Sequence, residues 1–189
     1  MKVFLIRHGL TRLGEEGRYQ GALDEGLSPA GRAALRRADF TPARVFVSPA
    51  RRARETAALL FPESEQVAVD ALREMDFGDF DGRGWWEMEE DAAYRAWVDG
   101  GCTGRCPGGE DRAAFTERVC TAVEALLREA ADELVIVAHG GTQMALLSHR
   151  GEPARGYFAW QRPCGCGWEL DYKRETGKLR AVREVGFLK

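Results

Sequence analysis

Two of the three histidines in this 189-residue chain lie at the ends of short apolar runs, where an imidazole can do chemistry. His8 follows Val3–Ile6 after a single arginine, and His139 directly follows the run at 134–138. Such runs are typical of buried strands, so polar residues at their ends are costly unless something there needs them. A neutral imidazole can be the nucleophile in phosphoryl transfer. The alternatives are a strand that emerges into solvent and, for His139, a hydrogen-bonded core histidine.

Arginines lie close to these histidines along the chain or follow the next predicted strand. Arg7 precedes His8, and the strand predicted from ARVFVS runs into the sequence SPARRAR at positions 48–54. Guanidinium groups bind phosphate oxygens in pairs of hydrogen bonds. Helices predicted to start near Pro49 and Thr142 would direct backbone N–H groups and positive dipole ends to the same place. Alone, the arginine run is a solvated helix face. With the histidines, it predicts a site for a phosphoryl group.

The metal-ligating residue types do not form a recognisable pattern. Two histidines with arginines and no carboxylate cluster argue against a mechanism that depends on Mg²⁺, which needs oxygen ligands. The CxxxC and CxC pairs could supply four thiolates to zinc, but neither spacing matches the usual zinc knuckles. An odd number of cysteines without a secretion signal favours free thiols in a reducing compartment. We therefore predict no metal and no cofactor. The five cysteines are Cys102, Cys106, Cys120, Cys164 and Cys166.

Composition restricts the classes of partner. The formal net charge is −3, with 44% hydrophobic and 30% charged residues, so there is no general attraction to nucleic acid or to anionic membranes. The N-terminal apolar run has four residues, too short for a signal peptide or a membrane span. These features predict one cytoplasmic domain over residues 1–189 without nucleic-acid or membrane partners. The expected partner is a small phosphomonoester, which the phosphoryl site indicates, and the chain is compatible with a monomer or a homodimer.

Strand-like and helix-like segments alternate along the chain. Apolar runs and turn signals predict strands at 3–6, 43–48, 67–69 and 134–138, and a C-terminal hairpin over 168–185 that turns at Thr176-Gly177. Helices are predicted from Ser28-Pro29 to about Phe40, from Pro49 to Leu60, over 85–98 and 111–131, and from Thr142. The glycine-rich stretch at 98–111 is predicted to be a loop. This alternation predicts a three-layer α/β/α sandwich with a mostly parallel central sheet, in which ligands bind at the carboxyl ends of the strands.

Five ordered motifs resemble one family over nearly the whole chain: LIRHGLT, RYQGALDEGLSPAGR, SPARRARETA, LREMDFGDFDG and VIVAHGG. They are similar to the histidine phosphatases, the phosphoglycerate mutase-like superfamily. The resemblance implies that His8 is the nucleophile that becomes phosphohistidine and that Arg7, Arg52 and His139 complete the phosphate pocket. It also implies that Glu74 protonates the leaving oxygen and later activates water. Arg52 is chosen over its neighbour because it fits the R-A-x-x-T-A pattern.

Other residues of these motifs are implied to line the same pocket. They are Thr11, Gln20, Gly21 and Gly140. One position departs from the family pattern R-H-G-x-T-x-x-N, because Gly14 stands where the asparagine belongs. A neutral hydrogen bond contributes about 1 kcal/mol, so we expect weaker binding rather than lost activity. Taken without the motifs, Glu74 is an ordinary loop carboxylate.

Aromatic residues are concentrated in the segment 85–97. Trp85, Trp86, Tyr94 and Trp97 have helical spacing, which favours packing in the core over a substrate site. Trp85 and Trp86 lie beside the expected mouth of the pocket, so contact with substrate stays open for these two.

The middle and C-terminal segments resemble one branch of the family more closely. LREMDFGDFDG, YRAW, PGGEDRAAFTERV and GCGWELD are similar to the α-ribazole phosphatases, which implies α-ribazole 5′-phosphate as substrate in cobalamin assembly. The residues themselves indicate only a phosphomonoester with a partly apolar leaving group. The alternatives are a broad-specificity phosphatase for sugar or nucleotide phosphates, a phosphoglycerate mutase, and an inactive binding module. The short chain favours hydrolysis over phosphoryl exchange, and the intact set of pocket residues argues against inactivity.

Overall fold

The apolar runs become neighbouring strands of one sheet in the computed structural model, which describes residues Met1–Lys189. The strands are β1 (Lys2–Arg7), β2 (Arg44–Val47), β3 (Glu65–Ala68), β4 (Glu133–Ala138), β5 (Gly151–Glu152), β6 (Cys166–Lys173) and β7 (Lys178–Gly186). Their order across the seven-stranded sheet is β3-β2-β4-β1-β6-β7-β5. Strands β1 to β4 are parallel, and β6 is antiparallel to both of its neighbours. The predicted mostly parallel sheet and its C-terminal hairpin are confirmed.

Six α-helices accompany the sheet. They are α1 (Arg12–Glu15), α2 (Pro29–Ala34), α3 (Arg51–Leu60), α4 (Ala92–Asp99), α5 (Arg112–Glu129) and α6 (Gly140–Arg150). Several start at side-chain caps that the sequence supplies: the Ser28 hydroxyl accepts from Gly31 N–H, and the Asp111 carboxylate accepts from Ala114 N–H. None of the six combines the length and the apolar composition needed to cross a bilayer.

Several predicted helices begin or end at other residues in the structure. Helix α3 begins at Arg51 rather than at Pro49, with Ala50 at its N-cap, and α5 covers Arg112–Glu129 rather than 111–131. Helix α2 ends at Ala34 rather than near Phe40, because Leu35 forms a β-bridge with Leu188 near the C-terminus. The segment 85–98 divides into a 3₁₀ turn and α4, because the Asp91 carboxylate accepts hydrogen bonds from the first N–H groups of α4 and starts a new helix there. Helix α6 begins two residues before Thr142, with His139 at its N-cap.

Alternate residues of β1 pack in two separate hydrophobic cores. Val3 and Leu5 of β1 pack in a cluster with residues of α4, α5 and α6, whereas Phe4 and Ile6 pack in a second cluster with residues of α3. Because successive side chains of a strand point to opposite faces, helices cover both faces of the sheet. The predicted three-layer arrangement is confirmed, and it leaves the carboxyl ends of β1, β2 and β4 as a shared edge.

Candidate active site

The two predicted pocket histidines meet at this edge of the sheet. In the pairing of β1 with β4, Arg7 lies opposite Ala138, and His8 N–H donates to the Ala138 carbonyl at 2.9 Å. The next residue on each strand is therefore a histidine. The centres of the His8 and His139 rings are 5.2 Å apart, with an angle of 66° between the ring planes. The two histidines are far apart along the sequence, and the parallel pairing of β1 with β4 brings them side by side.

His8 is held in the tautomer that a nucleophile requires. Its Nδ1 lies 2.7 Å from the Gly9 carbonyl oxygen, which can only accept, so Nδ1 carries the proton and Nε2 keeps a free lone pair. Burial lowers the pKa of His8 well below its ordinary value, and the charges of Arg52 and Arg7 lower it further. The imidazole is therefore neutral near pH 7, with the unprotonated nitrogen available for attack.

His139 is completely buried next to the end of β2. Its Nε2 lies 2.7 Å from the Ser48 hydroxyl, while its Nδ1 has no partner within the protein. Burial, followed by the positive charge of Arg52, lowers the pKa of His139 well below its ordinary value. The alternative of a satisfied core histidine is not what the structure shows, because one ring nitrogen is left unpaired.

Arg52 differs from the other two arginines of the SPARRAR segment. Its guanidinium is buried and donates to the carbonyls of Leu23 at 2.8 Å and Gly21 at 3.0 Å, whereas its Nε has no partner. Burial lowers the pKa of Arg52, but the ordinary value is 12.5, so the guanidinium remains a cation. Arg51 and Arg54 are exposed, and Arg51 pairs with a glutamate on the surface of α3. The solvated-face interpretation fits these two residues and not Arg52.

Glu74 lies at the N-terminus of α6. One carboxylate oxygen accepts from Met75 N–H and the other from Gly141 N–H, both at 3.0 Å. A Cβ on Gly141 would overlap the Glu74 carboxylate, so a glycine is needed for this approach. Burial raises the pKa of Glu74 above its ordinary value, and the two N–H groups oppose that shift. The carboxyl group can therefore be protonated at higher pH than a solvated glutamate.

An ion pair that the sequence reasoning missed anchors the loop that carries Glu74. Arg118 of α5 donates to the carbonyls of Ala71 at 2.9 Å and Arg73 at 3.1 Å, and it pairs with Glu110 at 2.7 Å. Glu110 also accepts from Asp76 N–H at 3.0 Å. The pair therefore holds backbone on both sides of Glu74. Its only signal in the sequence is the PGGED segment.

We expect Glu110→Gln to act on catalysis through the position of Glu74. Losing one charged hydrogen-bond partner of the loop should reduce kcat/KM for an alkyl phosphate on the order of tenfold. The loss on p-nitrophenyl phosphate should be smaller, because that leaving group needs little protonation. Glu63→Gln is the matched control, since Glu63 forms a surface pair with Arg37. Equal losses on the two esters would mean that the pair contributes only to folding.

A cavity of about 280 Å³ opens at the strand ends, and five predicted site residues line it: Arg7, His8, Thr11, Gln20 and Glu74. Arg52 and His139 lie fully buried behind it, and Gly140 packs its backbone against Arg7. Gly21 does not line this cavity. It borders a neighbouring polar cavity, because its N–H donates to the Asp81 carboxylate and a Cβ there would overlap the Met75 carbonyl.

Gly14 also lines the cavity, at the position of the family asparagine. Its N–H donates to the Thr11 hydroxyl at 3.1 Å, which caps α1, and that hydroxyl donates to the Gln20 side chain at 2.8 Å. The loop is thus closed by Thr11, while Gly14 itself offers no polar side chain to a ligand.

The aromatic residues of the segment 85–97 divide in the structure. Tyr94 and Trp97 pack in the core as predicted, and Trp97 also reaches the cavity wall. Core packing is wrong for Trp85 and Trp86, which are 55% and 44% exposed, and neither of them lines the cavity. Most aromatic lining residues come from other segments: Tyr19, Phe77, Phe115, Tyr157 and Phe158. Arg112 also lines this wall, and neither it nor the 157–158 pair was found from the sequence. Cys102 and Cys164 border the cavity as free thiols.

Comparison with known proteins identifies the family of this chain. The model of the histidine phosphatase superfamily (branch 1) matches residues 3–184. A protein of Hydrogenobacter thermophilus named as a phosphoserine phosphatase is 33% identical over 155 residues, covering 77% of this chain and 76% of the relative. An adenosylcobalamin/alpha-ribazole phosphatase of Salmonella typhimurium is 31% identical over 195 residues, covering 96% of each chain.

A solved structure shows the same fold with nearly complete coverage. The alpha-ribazole phosphatase of Shigella flexneri has a TM-score of 0.80 and 26% sequence identity, over 96% of this chain and 95% of that one. Because the family model spans both histidine motifs and almost every element of the fold, the chain belongs to the histidine phosphatase superfamily, branch 1, and is a phosphatase.

Proposed function

We propose that the protein is a metal-independent phosphomonoesterase that works through a phosphohistidine at His8. One observation carries the proposal: Arg7 Nε, Arg52 Nε and His139 Nδ1 are buried nitrogens without a protein partner, all near a neutral imidazole. The two Nε atoms are N–H donors, and His139 Nδ1 is a third when the Ser48 hydroxyl donates to Nε2 and leaves the ring proton on Nδ1. Buried donors are rarely left unpaired in proteins. Three such atoms on the residues around His8 support a pocket in which phosphoryl oxygens accept these hydrogen bonds.

The first half of the reaction transfers the phosphoryl group to the protein. His8 Nε2 attacks phosphorus, and the bond between phosphorus and the ester oxygen breaks. That oxygen takes the proton from the Glu74 carboxyl group and leaves as an alcohol. Arg7 and Arg52 stabilise the charge on the non-bridging oxygens while the bonds change. The raised pKa of Glu74 favours the protonated form that this step needs.

The second half regenerates the enzyme. The Glu74 carboxylate takes a proton from water, whose oxygen attacks phosphorus as the bond from phosphorus to His8 Nε2 breaks. Inorganic phosphate leaves, His8 returns to its neutral form, and Glu74 is again protonated. One carboxyl group thus serves both steps.

For the substrate we propose α-ribazole 5′-phosphate. One support is that six aromatic residues line the cavity that contains Glu74, which suits a partly apolar leaving group. The other is the similarity over nearly the full chain to proteins named for alpha-ribazole phosphatase activity. Two relatives of similar identity are named for different substrates, phosphoserine and alpha-ribazole phosphate, which favours a second candidate, a broad-specificity phosphatase.

A panel of phosphomonoesters tests this proposal. It includes α-ribazole 5′-phosphate, ribose 5-phosphate, phosphoserine, 3-phosphoglycerate and p-nitrophenyl phosphate, each measured by release of inorganic phosphate. A kcat/KM highest for α-ribazole 5′-phosphate supports the specific assignment. Similar values across the panel favour the broad-specificity enzyme, and no turnover of any ester would contradict the reaction itself.

We expect activity to persist in EDTA. Arg7, Arg52 and the N-terminus of α6 supply the positive charge that faces the phosphoryl group, so no cation is needed to neutralise it. Vanadate should inhibit competitively, because it adopts the five-coordinate geometry of phosphorus during transfer. Steady-state rates before and after chelation provide the measurement. Loss of activity that Mg²⁺ or Zn²⁺ restores would count decisively against the mechanism.

A further inference from the structure

The outer part of the cavity wall is formed by Arg112 together with two adjacent aromatic residues. Tyr157 and Phe158 lie in a 3₁₀ turn, with their ring centres 5.2 Å apart, and Arg112 is the first residue of α5. All three side chains line the cavity that also contains His8. None of the steps derived above uses them, so this wall calls for a separate role.

Arg112 presents a planar positive charge that the protein does not neutralise. Its guanidinium carbon lies 4.2 Å from the centre of the Tyr157 ring and 5.3 Å from that of Phe158, and an N–H donates to the Gly101 carbonyl. No carboxylate forms an ion pair with Arg112, although most other arginines of the chain pair with a carboxylate. The guanidinium is therefore held by its position over two aromatic rings and by one hydrogen bond, not by a counter-ion.

Tyr157 connects this wall with the reaction centre. Its hydroxyl makes no hydrogen bond within the protein. Burial raises the pKa of Tyr157, the negative charge of Glu74 adds to the shift, and the charge of Arg112 opposes it. Tyr157 lines the same cavity as Glu74, where the leaving oxygen departs, and its ring lies 4.2 Å from the Arg112 guanidinium carbon. Tyr157 is half-buried, so it offers a leaving group both an apolar ring and a free hydroxyl. These two features suit a leaving group that is polar at one end and apolar at the other.

We propose that Arg112, Tyr157 and Phe158 form a subsite that selects leaving groups carrying a planar heteroaromatic ring on a hydroxyl-bearing linker. The linker lies beside the Tyr157 hydroxyl, and the ring stacks against Arg112 and Phe158. The inference rests on the proposed reaction at His8 and adds the residues that select its leaving group. A small carboxylate-bearing leaving group would use the charge of Arg112, but it would leave the aromatic wall without contacts.

The test compares esters that differ only by the ring. For the wild type, the ratio of kcat/KM for α-ribazole 5′-phosphate or adenosine 5′-phosphate to that for ribose 5-phosphate should exceed one. Stacking of one base on an aromatic side chain is worth a factor of about 5 to 150 in affinity. Phe158→Ala should lower this ratio by at least about fivefold. Trp85→Ala is the matched control, because Trp85 is 55% exposed against 57% for Phe158 but lies outside the cavity, and it should keep the ratio.

Arg112→Lys separates stacking from charge, because it keeps the cation and removes the guanidinium plane. The ratio should fall in Arg112→Lys as it does in Arg112→Met. If Arg112→Lys keeps the ratio, or if Arg112→Met loses phosphoserine hydrolysis while sparing the base-bearing esters, the subsite recognises a carboxylate and the proposal is wrong. A wild-type ratio of one would also overturn it. These outcomes differ from failure of the proposed reaction, in which the wild type would hydrolyse none of the esters. Thermal unfolding confirms that each variant is folded.

Discussion

His8→Ala should abolish phosphomonoester hydrolysis while leaving the fold intact. The substitution removes the atom that forms the covalent intermediate. The neighbouring His139 is fully buried and its Nε2 is hydrogen-bonded to the Ser48 hydroxyl, so it cannot replace His8 as the nucleophile. Wild-type protein quenched in mild alkali after brief exposure to a labelled phosphoryl donor should carry an acid-labile label. That label should be absent from the variant.

The chain supplies a matched control for this substitution. His149 is the third histidine, it lies exposed near the end of α6, and it makes no contact with the cavity. His149→Ala should keep both the activity and the label. Substantial turnover by a folded His8→Ala protein, or label on the protein without His8, would end the phosphohistidine mechanism.

The sequence predicts the core of the site well because its residues are tied to strand ends. Val3–Ile6 and the run at 134–138 are apolar without interruption, and this pattern by itself identifies two fully buried strands. Parallel strands bring their carboxyl ends to one edge, so the residues that follow them must lie close together. The structure places His8 and His139 side by side for this reason.

The remaining parts of the site depend on contacts between distant segments. Helix α2 stops at Ala34 because the following residue pairs with Leu188, and no local propensity records that pairing. Arg112 and Tyr157 are 45 positions apart along the chain and become stacked only when α5 and the 3₁₀ turn reach the same cavity. The Trp85-Trp86 pair shows that helical spacing alone does not predict burial, since both side chains are exposed and neither lines the cavity.

Glu74→Gln should reduce turnover of an alkyl phosphate far more than formation of phosphohistidine from an aryl phosphate. A positioned general acid contributes roughly 10²–10⁴-fold, and an alkoxide leaves poorly without its proton. On a ribose 5-phosphate ester we therefore expect a loss of about that size. On p-nitrophenyl phosphate the first step should be much less affected, and hydrolysis of the phosphohistidine should become slow. A burst of p-nitrophenol followed by slow turnover is the expected trace.

The comparison between the two esters also separates the loss of the general acid from the structural effect of the substitution. The Glu74 carboxylate accepts from two N–H groups, and an amide oxygen can replace only one of its two oxygens as an acceptor, so Glu74→Gln disturbs the contact with Met75 or Gly141. That disturbance affects both esters alike, whereas loss of the acid affects mainly the alkyl ester.

The pH dependence provides a second readout of the same group. Because burial raises the pKa of Glu74, the wild-type phosphorylation rate on the alkyl ester should fall as the pH rises through that pKa, when the acid loses its proton. The variant should lack this limb, since an amide does not titrate. Equal losses in the phosphorylation step on both esters, with the alkaline limb retained, would mean that Glu74 only shapes the pocket. The acid would then be His139 or Asp76, and Asp76 lines the polar cavity on the other side of Glu74.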